Sequence, residues 1–368
     1  MTLPAPDPAT YLSPQARRLL RAALHPADAP DAWAAYAAHL SDGPIDEGEE
    51  RLFPLVAANL PDTRDAAARA ELLRAAVATA IRRRTAADRA RDAAAELLDA
   101  VGIPRYWTKG SAIAGLYYDR PHHRTSMDVD AIVRWDDVSR LRDHLVAEGL
   151  PFKNDLNLKF GPARVTSSEI SFALPGHTDV DVAWAPRMPF AFDPWLAERL
   201  WDRRTADAMP GPTWLLVEAI EHGLSVNVVA PIRWITDAAM LLRKAAIDWP
   251  FVARIADRYL LSTQLRFGLD VLEGVCPDLS DAIAWGRDAL ATVTPHPLEG
   301  DELYQRIAAE DGGVAWRVYR TSCLLLRSDD ETFAGLARWG RPRHFLDSGV
   351  ARAYVARAAE LAPGKSMD

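Results

Sequence analysis

The stretch from Tyr106 to Trp135, YWTKGSAIAGLYYDRPHHRTSMDVDAIVRW, decides how this chain is read. Lys109, Gly110 and Ser111 precede a short apolar segment, a His/Arg cluster follows, and two aspartates then sit inside a hydrophobic run. Burying a carboxylate is costly unless a partner compensates it. "PRYWTK" and "DVDAIVRW" have the β-branched and aromatic content of strands, and "SAIAGLYYD" between them reads as a helix started by Ser111. Residues i and i+2 of a strand share a face. Asp128 and Asp130 therefore point together, with Val129 and Ala131 opposite. Two such carboxylates raise each other's pKa unless a cation lies between them. Magnesium takes hard oxygen ligands and keeps positions for water and phosphate.

A second acidic strand strengthens this reading. "HTDVDVAW" brings His177, Asp179 and Asp181 to one face by alternation. Laid beside the first strand, it gathers three or four acidic groups, enough to clamp metal on phosphate and to supply a base. The plainer alternative is two solvated strand faces with alternating aspartates. Gly110 permits close backbone approach. A helix beginning at Ser111 offers free amides to phosphate, with Lys109 and Arg124 as added cations. Taken alone, "GS" before a helix reads more simply as an N-cap.

Working outward, "SPQARRLLRAAL" begins a helix with Ser13 as N-cap and Pro14 at its first position. "DAPDAWAAYAAHL" and "IDEGEERLFPLVAANL" each read as one helix. Thr63 to Val101 is a long helix on the spacing of Leu73, Ala76, Val77, Ala80, Ile81, Ala87, Ala94, Leu98 and Val101, stopped by Gly102. Its basic run, Arg82 to Arg91, is either a solvated face with internal Asp–Arg pairs or a contact for a phosphate-bearing substrate. "WDDVSRLRDHLVAEG" is a helix, and "ARVTSSEISFALPGHTDVDVAW" is two strands around a Pro-Gly turn. From about Phe192 onward the chain is mostly helical, ending in "VAWRVYRTSCLLLRS" and "GVARAYVARAAELA". The expected fold is mixed α+β. A small α/β core with a mixed sheet spans 102–191, with a helical region before it (1–101) and another after it (192–368).

The 368 residues carry a formal net charge of −8, which lowers the expectation of nucleic-acid binding. Cys276 and Cys323 have no metal or redox spacing and read as buried thiols of a reducing compartment. No leader pattern and no apolar run of transmembrane length is present, so a cytoplasmic protein is expected. Tyr106, Trp107, Tyr117 and Tyr118 read as core, with one available to stack on a base. His122 and His123 read as surface residues at the cleft mouth. His222 borders an apolar face, as a structural or pocket residue. Arg233 and Asp237 have the spacing of a helical i,i+4 pair.

Together these residues resemble the nucleotidyltransferase superfamily related to DNA polymerase beta: a Gly-Ser turn at a helix start (Gly110-Ser111), Asp-x-Asp in a strand (Asp128, Asp130), and a third acidic residue in a later strand (Asp181). Within it, the chain is similar to an uncharacterised nucleotidyltransferase family common in bacterial genomes. The similarity rests on Lys109-Gly110, Tyr117-Tyr118, Arg124, Asp128-Val129-Asp130, "DVAW" from Asp181, His222, and Arg233-Trp234-Ile235-Thr236-Asp237. It runs from about Leu52 to Arg243 and departs at Ala183, where the family usually has histidine.

The resemblance implies transfer of a nucleoside monophosphate from an NTP, ATP being the expected one, to a hydroxyl acceptor with release of pyrophosphate. Two magnesium ions would be held by Asp128, Asp130 and Asp181. Lys109, Gly110, Ser111 and Arg124 would bind the nucleotide, while a metal role for Asp179 or His177 stays open. A small molecule or peptide is the favoured acceptor. The alternatives are a toxin-type enzyme acting on tRNA or protein, a kinase-like phosphotransferase, and a catalytically silent nucleotide-binding protein.

Overall fold

Four short strands form one mixed sheet in the computed structural model: β1 (Arg105–Trp107), β2 (Val129–Val133), β3 (Glu169–Ala173) and β4 (Asp179–Ala183). The structure describes residues 7–40, 45–61, 67–126, 128–151, 169–185, 194–203, 209–224, 232–295 and 299. The strand order is β1-β2-β4-β3. β1 runs antiparallel to β2, and β3 and β4 form an antiparallel pair around the predicted Pro-Gly turn. β2 and β4 run parallel, with Asp130 opposite Asp181. Alternation sends Val129, Ala131, Val180 and Val182, all buried, to the face away from those aspartates.

Helices enclose this sheet. α1 (Pro14–Leu24) opens as expected, with the Ser13 hydroxyl accepting from the Ala16 amide. α2 is Ala29–Ala37. "IDEGEERLFPLVAANL", expected as one helix, is two: α3 (Glu47–Glu50) and α4 (Phe53–Asn59). Pro54 lies in the first turn of α4, where its missing N–H costs nothing. α5 (Ala70–Ala100) buries Leu73, Ala76, Ala80, Ala87, Ala90, Ala94 and Leu98. Ile81, expected on that stripe, is instead exposed one residue off it. Gly102 takes φ +65°, and the Ile103 amide beyond it closes onto the Leu98 carbonyl, which ends the helix.

α6 (Lys109–Tyr117) links β1 to a 3₁₀ turn at Pro121–His123 and then β2, and α7 (Trp135–Ala147) follows β2. The later helices are α8 (Pro194–Asp202), α9 (Pro212–Gly223), α10 (Arg233–Lys244), α11 (Trp249–Arg258), α12 (Ser262–Val275) and α13 (Ser280–Ala291). α9 and α10 pack on each other and on α6, which makes them a wall of the site. The two helices expected within 301–368, and Cys323, lie outside the described residues. No helix among the described residues is long and apolar enough to cross a membrane.

Candidate active site

Asp128, Asp130 and Asp181 converge. One carboxylate oxygen from each lies within 4.8 Å of those of the other two. The sheet does this by placing Asp130 and Asp181 at the same register on adjacent parallel strands, with Asp128 two residues earlier on the same face. Asp130 is buried, whereas Asp128 and Asp181 reach solvent. Burial pushes the Asp130 carboxyl up to about 7; the charges of Asp128 and Asp181 add to this, and Lys109 offsets it only in part. Asp179 shares the face but is not part of this three-residue group, nor is His177, whose amide donates to the Leu174 carbonyl.

Lys109 is the resident cation. Its Nζ donates to Asp130 Oδ1 at 2.5 Å. Burial alone would pull this ammonium down, but Asp130, Glu218 and Glu169 hold it above its ordinary range. Lys109 has φ +47°, a left-handed conformation that costs a non-glycine residue about 1–2 kcal/mol. Glu218, buried on α9, holds the turn: its Oε2 accepts from the Thr108 hydroxyl at 2.6 Å and from the Lys109 amide at 3.2 Å. Thr108, not Ser111, occupies the N-cap position, and Ser111 lies buried in the first turn of α6. Glu218 Oε1 has no hydrogen-bond partner among the described residues, and burial raises this carboxyl. Three carboxylates (Asp128, Asp130, Asp181) thus converge where only Asp130 is paired with the Lys109 ammonium among the described residues. That surplus of negative charge and the hard oxygen donors fit a divalent magnesium ion.

Arg124 is engaged elsewhere. Its Nε and Nη2 donate to Asp237 of α10 at 2.9–3.2 Å, and its Nη1 donates to Ser126 Oγ at 2.8 Å. The Tyr118 hydroxyl adds a bond to Asp237 at 2.8 Å. The expected Arg233–Asp237 helical pair is therefore not formed. Arg233 Nη1 donates instead to the Thr125 carbonyl at 2.7 Å, because the fold brings Arg124, 113 residues away, onto Asp237. Gly110 makes room for this arrangement: a Cβ there would lie 2.1 Å from Ser126 Oγ and 2.2 Å from Arg124 Nη1. Arg124 is pinned and cannot yield, so Gly110→Ala is expected to destabilise the protein by about 1–3 kcal/mol in urea unfolding, the usual cost of overpacking. An unchanged midpoint would contradict this packing account.

The remaining candidates fall around the site. Tyr106, Trp107 and Tyr118 are buried, as expected of core. His122 and His123 stack edge-to-face at 4.9 Å, and burial lowers the His123 imidazole to about 4. Ala183 is a buried residue of β4, and the adjoining Trp184 packs edge-on against Trp135 at 5.1 Å. In the basic run, Arg84 and Arg91 turn onto Asp88, the internal pairing expected, although Arg84 is buried and not on a solvated face. Thr108 and Glu218 were not singled out in the sequence. The available signal was a carboxylate in the middle of the apolar run "TWLLVEAIEHGL". A second group with ligand atoms, His25, Cys276 and Asp278, is already satisfied. His25 Nε2 bonds the Val275 carbonyl, Asp278 pairs with Arg243, and burial pushes the Cys276 thiol up to about 12.

No curated protein matches the sequence. A family model described as "Uncharacterised nucleotidyltransferase" matches residues 48–275, from the short helix α3 to the end of α12. The match covers more than half of the chain and includes all three converging aspartates, the Lys109 turn, Glu218 and the Arg124–Asp237 pair; the chain belongs to this nucleotidyltransferase family.

Proposed function

We propose that this chain is a magnesium-dependent enzyme that moves a nucleoside monophosphate from an NTP, ATP foremost, to an acceptor hydroxyl and releases pyrophosphate. The convergence of Asp128, Asp130 and Asp181 on one point carries the reading. Asp128 and Asp130 would hold two magnesium ions, and Asp181 would complete the acceptor-side site. Bound there, magnesium neutralises charge developing on the α-phosphate and the leaving oxygen. Asp181, which reaches solvent, would take the proton as the hydroxyl oxygen attacks. The new bond joins that oxygen to the α-phosphorus, the bond to the β-phosphate oxygen breaks, and the pair of electrons leaves with pyrophosphate.

Ser111 and the amides at the start of α6 form the phosphate side in this reading, with segment 102–191 as the catalytic core and 1–101 and 192–368 flanking it. Lys109, now on Asp130, is the cation that magnesium would relieve. The acidic chain favours a small-molecule or peptide acceptor over tRNA, because the basic run is partly neutralised by Asp88. A cytoplasmic setting fits a buried Cys276 thiol.

The test uses magnesium, an acceptor pool and ATP labelled in the α or γ position. Label passing to acceptor from the α position, with pyrophosphate formed in equal amount, is the expected result. Transfer of γ label with ADP formation would replace this reading with a kinase one.

A further inference from the structure

Arg233 is a cation in search of an anion. It begins α10 and sits within electrostatic reach of Arg51, Arg124, Asp128 and Asp237. A guanidinium has five N–H donors, and the one hydrogen bond the Arg233 guanidinium donates among the described residues is to the Thr125 carbonyl, three residues before Asp128. The carboxylates that would neutralise it are committed. Asp237 takes three hydrogen bonds from Arg124. Glu47 pairs with Arg51 at 2.5 Å, and the charges of Arg83 and Arg233 also act on it. Asp128 belongs to the metal-binding group. Arg51 Nε is itself buried with no hydrogen-bond partner among the described residues. Burial, and then the charge of Arg124, pulls the Arg233 guanidinium down to about 10. Arg233 therefore stands against the Thr125 carbonyl on the approach to Asp128, while Asp237 and Glu47 are held by Arg124 and Arg51.

We infer that Arg233, supported by Arg51, is a binding site for a phosphoryl oxyanion next to the Asp128 edge of the active site. The planar fork of a guanidinium matches a tetrahedral phosphate through two parallel hydrogen bonds. This assignment goes to a residue the sequence suggested only as a helix-pairing partner. It also moves the phosphate-binding charge away from Arg124, whose donors are spent on Asp237 and Ser126. The inference rests on the nucleotidyltransferase reading of the carboxylates. The oxyanion has two possible sources, the polyphosphate tail of the nucleotide or a phosphate on the acceptor.

Calorimetry with α,β-methylene-ATP and magnesium separates these sources, using wild type, Arg233→Met, Arg233→Lys and the solvent-facing control Arg82→Met. If the tail docks on Arg233, Arg233→Met weakens analogue binding by about tenfold or more, the size of a lost charge-assisted contact. Arg233→Lys then recovers part of that loss, and Arg82→Met changes nothing. If the acceptor phosphate docks there, analogue affinity is unchanged in Arg233→Met, but inorganic phosphate no longer binds the analogue-saturated variant. Arg233→Lys keeps the charge and half the geometry, so it decides the matter through the same two titrations should the methionine variant not fold. Unchanged affinity for both the analogue and phosphate in the Arg233 variants overturns the inference. Asp130→Asn is run alongside. Its loss of magnesium-dependent analogue binding keeps the nucleotidyltransferase reading intact even when the Arg233 assignment fails.

Discussion

Asp128→Ala, Asp130→Ala and Asp181→Ala are each expected to lower the rate of nucleotidyl transfer by about 10³-fold, since metal stabilisation of transition-state charge is worth several kcal/mol at about 1.4 kcal/mol per decade. The three losses should not add, because the carboxylates act as one ligand set. Folding is expected to survive in Asp128→Ala and Asp181→Ala, whereas Asp130→Ala strands the Lys109 ammonium and is expected to lower the urea midpoint as well. Without bound metal these groups repel, and Asp130 is already pushed up to about 7 by its burial and by the charges of its neighbours. Removing one of the solvent-reaching carboxylates relieves repulsion instead of breaking a support. Urea midpoints matched to wild type for Asp128→Ala and Asp181→Ala, beside the collapse in rate, check both halves. A variant with wild-type rate would remove that residue from the site.

Arg124→Ala carries the largest expected effect on stability, a loss of about 3–5 kcal/mol, the cost of stranding one member of a buried ion pair. Both side chains of the pair are about 5–6% exposed, and three Arg124 hydrogen bonds run to Asp237. Truncating the arginine leaves Asp237 buried with only the Tyr118 hydroxyl as a side-chain donor among the described residues. It also frees the space that Gly110 leaves beside Ser126. Asp237→Ala should cost a comparable amount. The double variant Arg124→Met, Asp237→Leu should recover much of the loss, since paired apolar replacements restore packing without an orphan charge. Equilibrium urea unfolding measures all three. An Arg124→Ala protein as stable as wild type would show that the pair does not support α6 and α10.

Much of the site was legible because strands alternate. The period of two put Asp128 with Asp130 and Asp179 with Asp181 on single faces, and the valines between them marked the other face as core. The partnership of those two strands was legible only as a condition, since nothing local fixes that β2 and β4 are neighbours at a register that sets Asp130 against Asp181. Long-range pairs were harder still. Arg233 and Asp237 are one helical turn apart, so the local pair was the natural reading, and only the fold shows Arg124 arriving from 113 residues away. The N-cap was displaced for a similar reason. Ser111 has the residue type for it, but Glu218 of a distant helix holds Thr108 and Lys109 and starts α6 earlier. Pro54 was a local signal: it restarts the chain as a new helix inside what the apolar pattern made one.

The central claim is that three aspartates from two strands form one cation site. Mn2+ is a spin-active substitute for Mg2+, and its binding can be followed by electron paramagnetic resonance with α,β-methylene-ATP present. Asp181→Asn is the decisive variant, because it lies on β4, about fifty residues from the Asp128 and Asp130 pair. The account predicts that wild type binds Mn2+ and that Asp181→Asn binds it at least about tenfold more weakly, the loss of one charged ligand. Equal Mn2+ affinity in wild type and Asp181→Asn would contradict it.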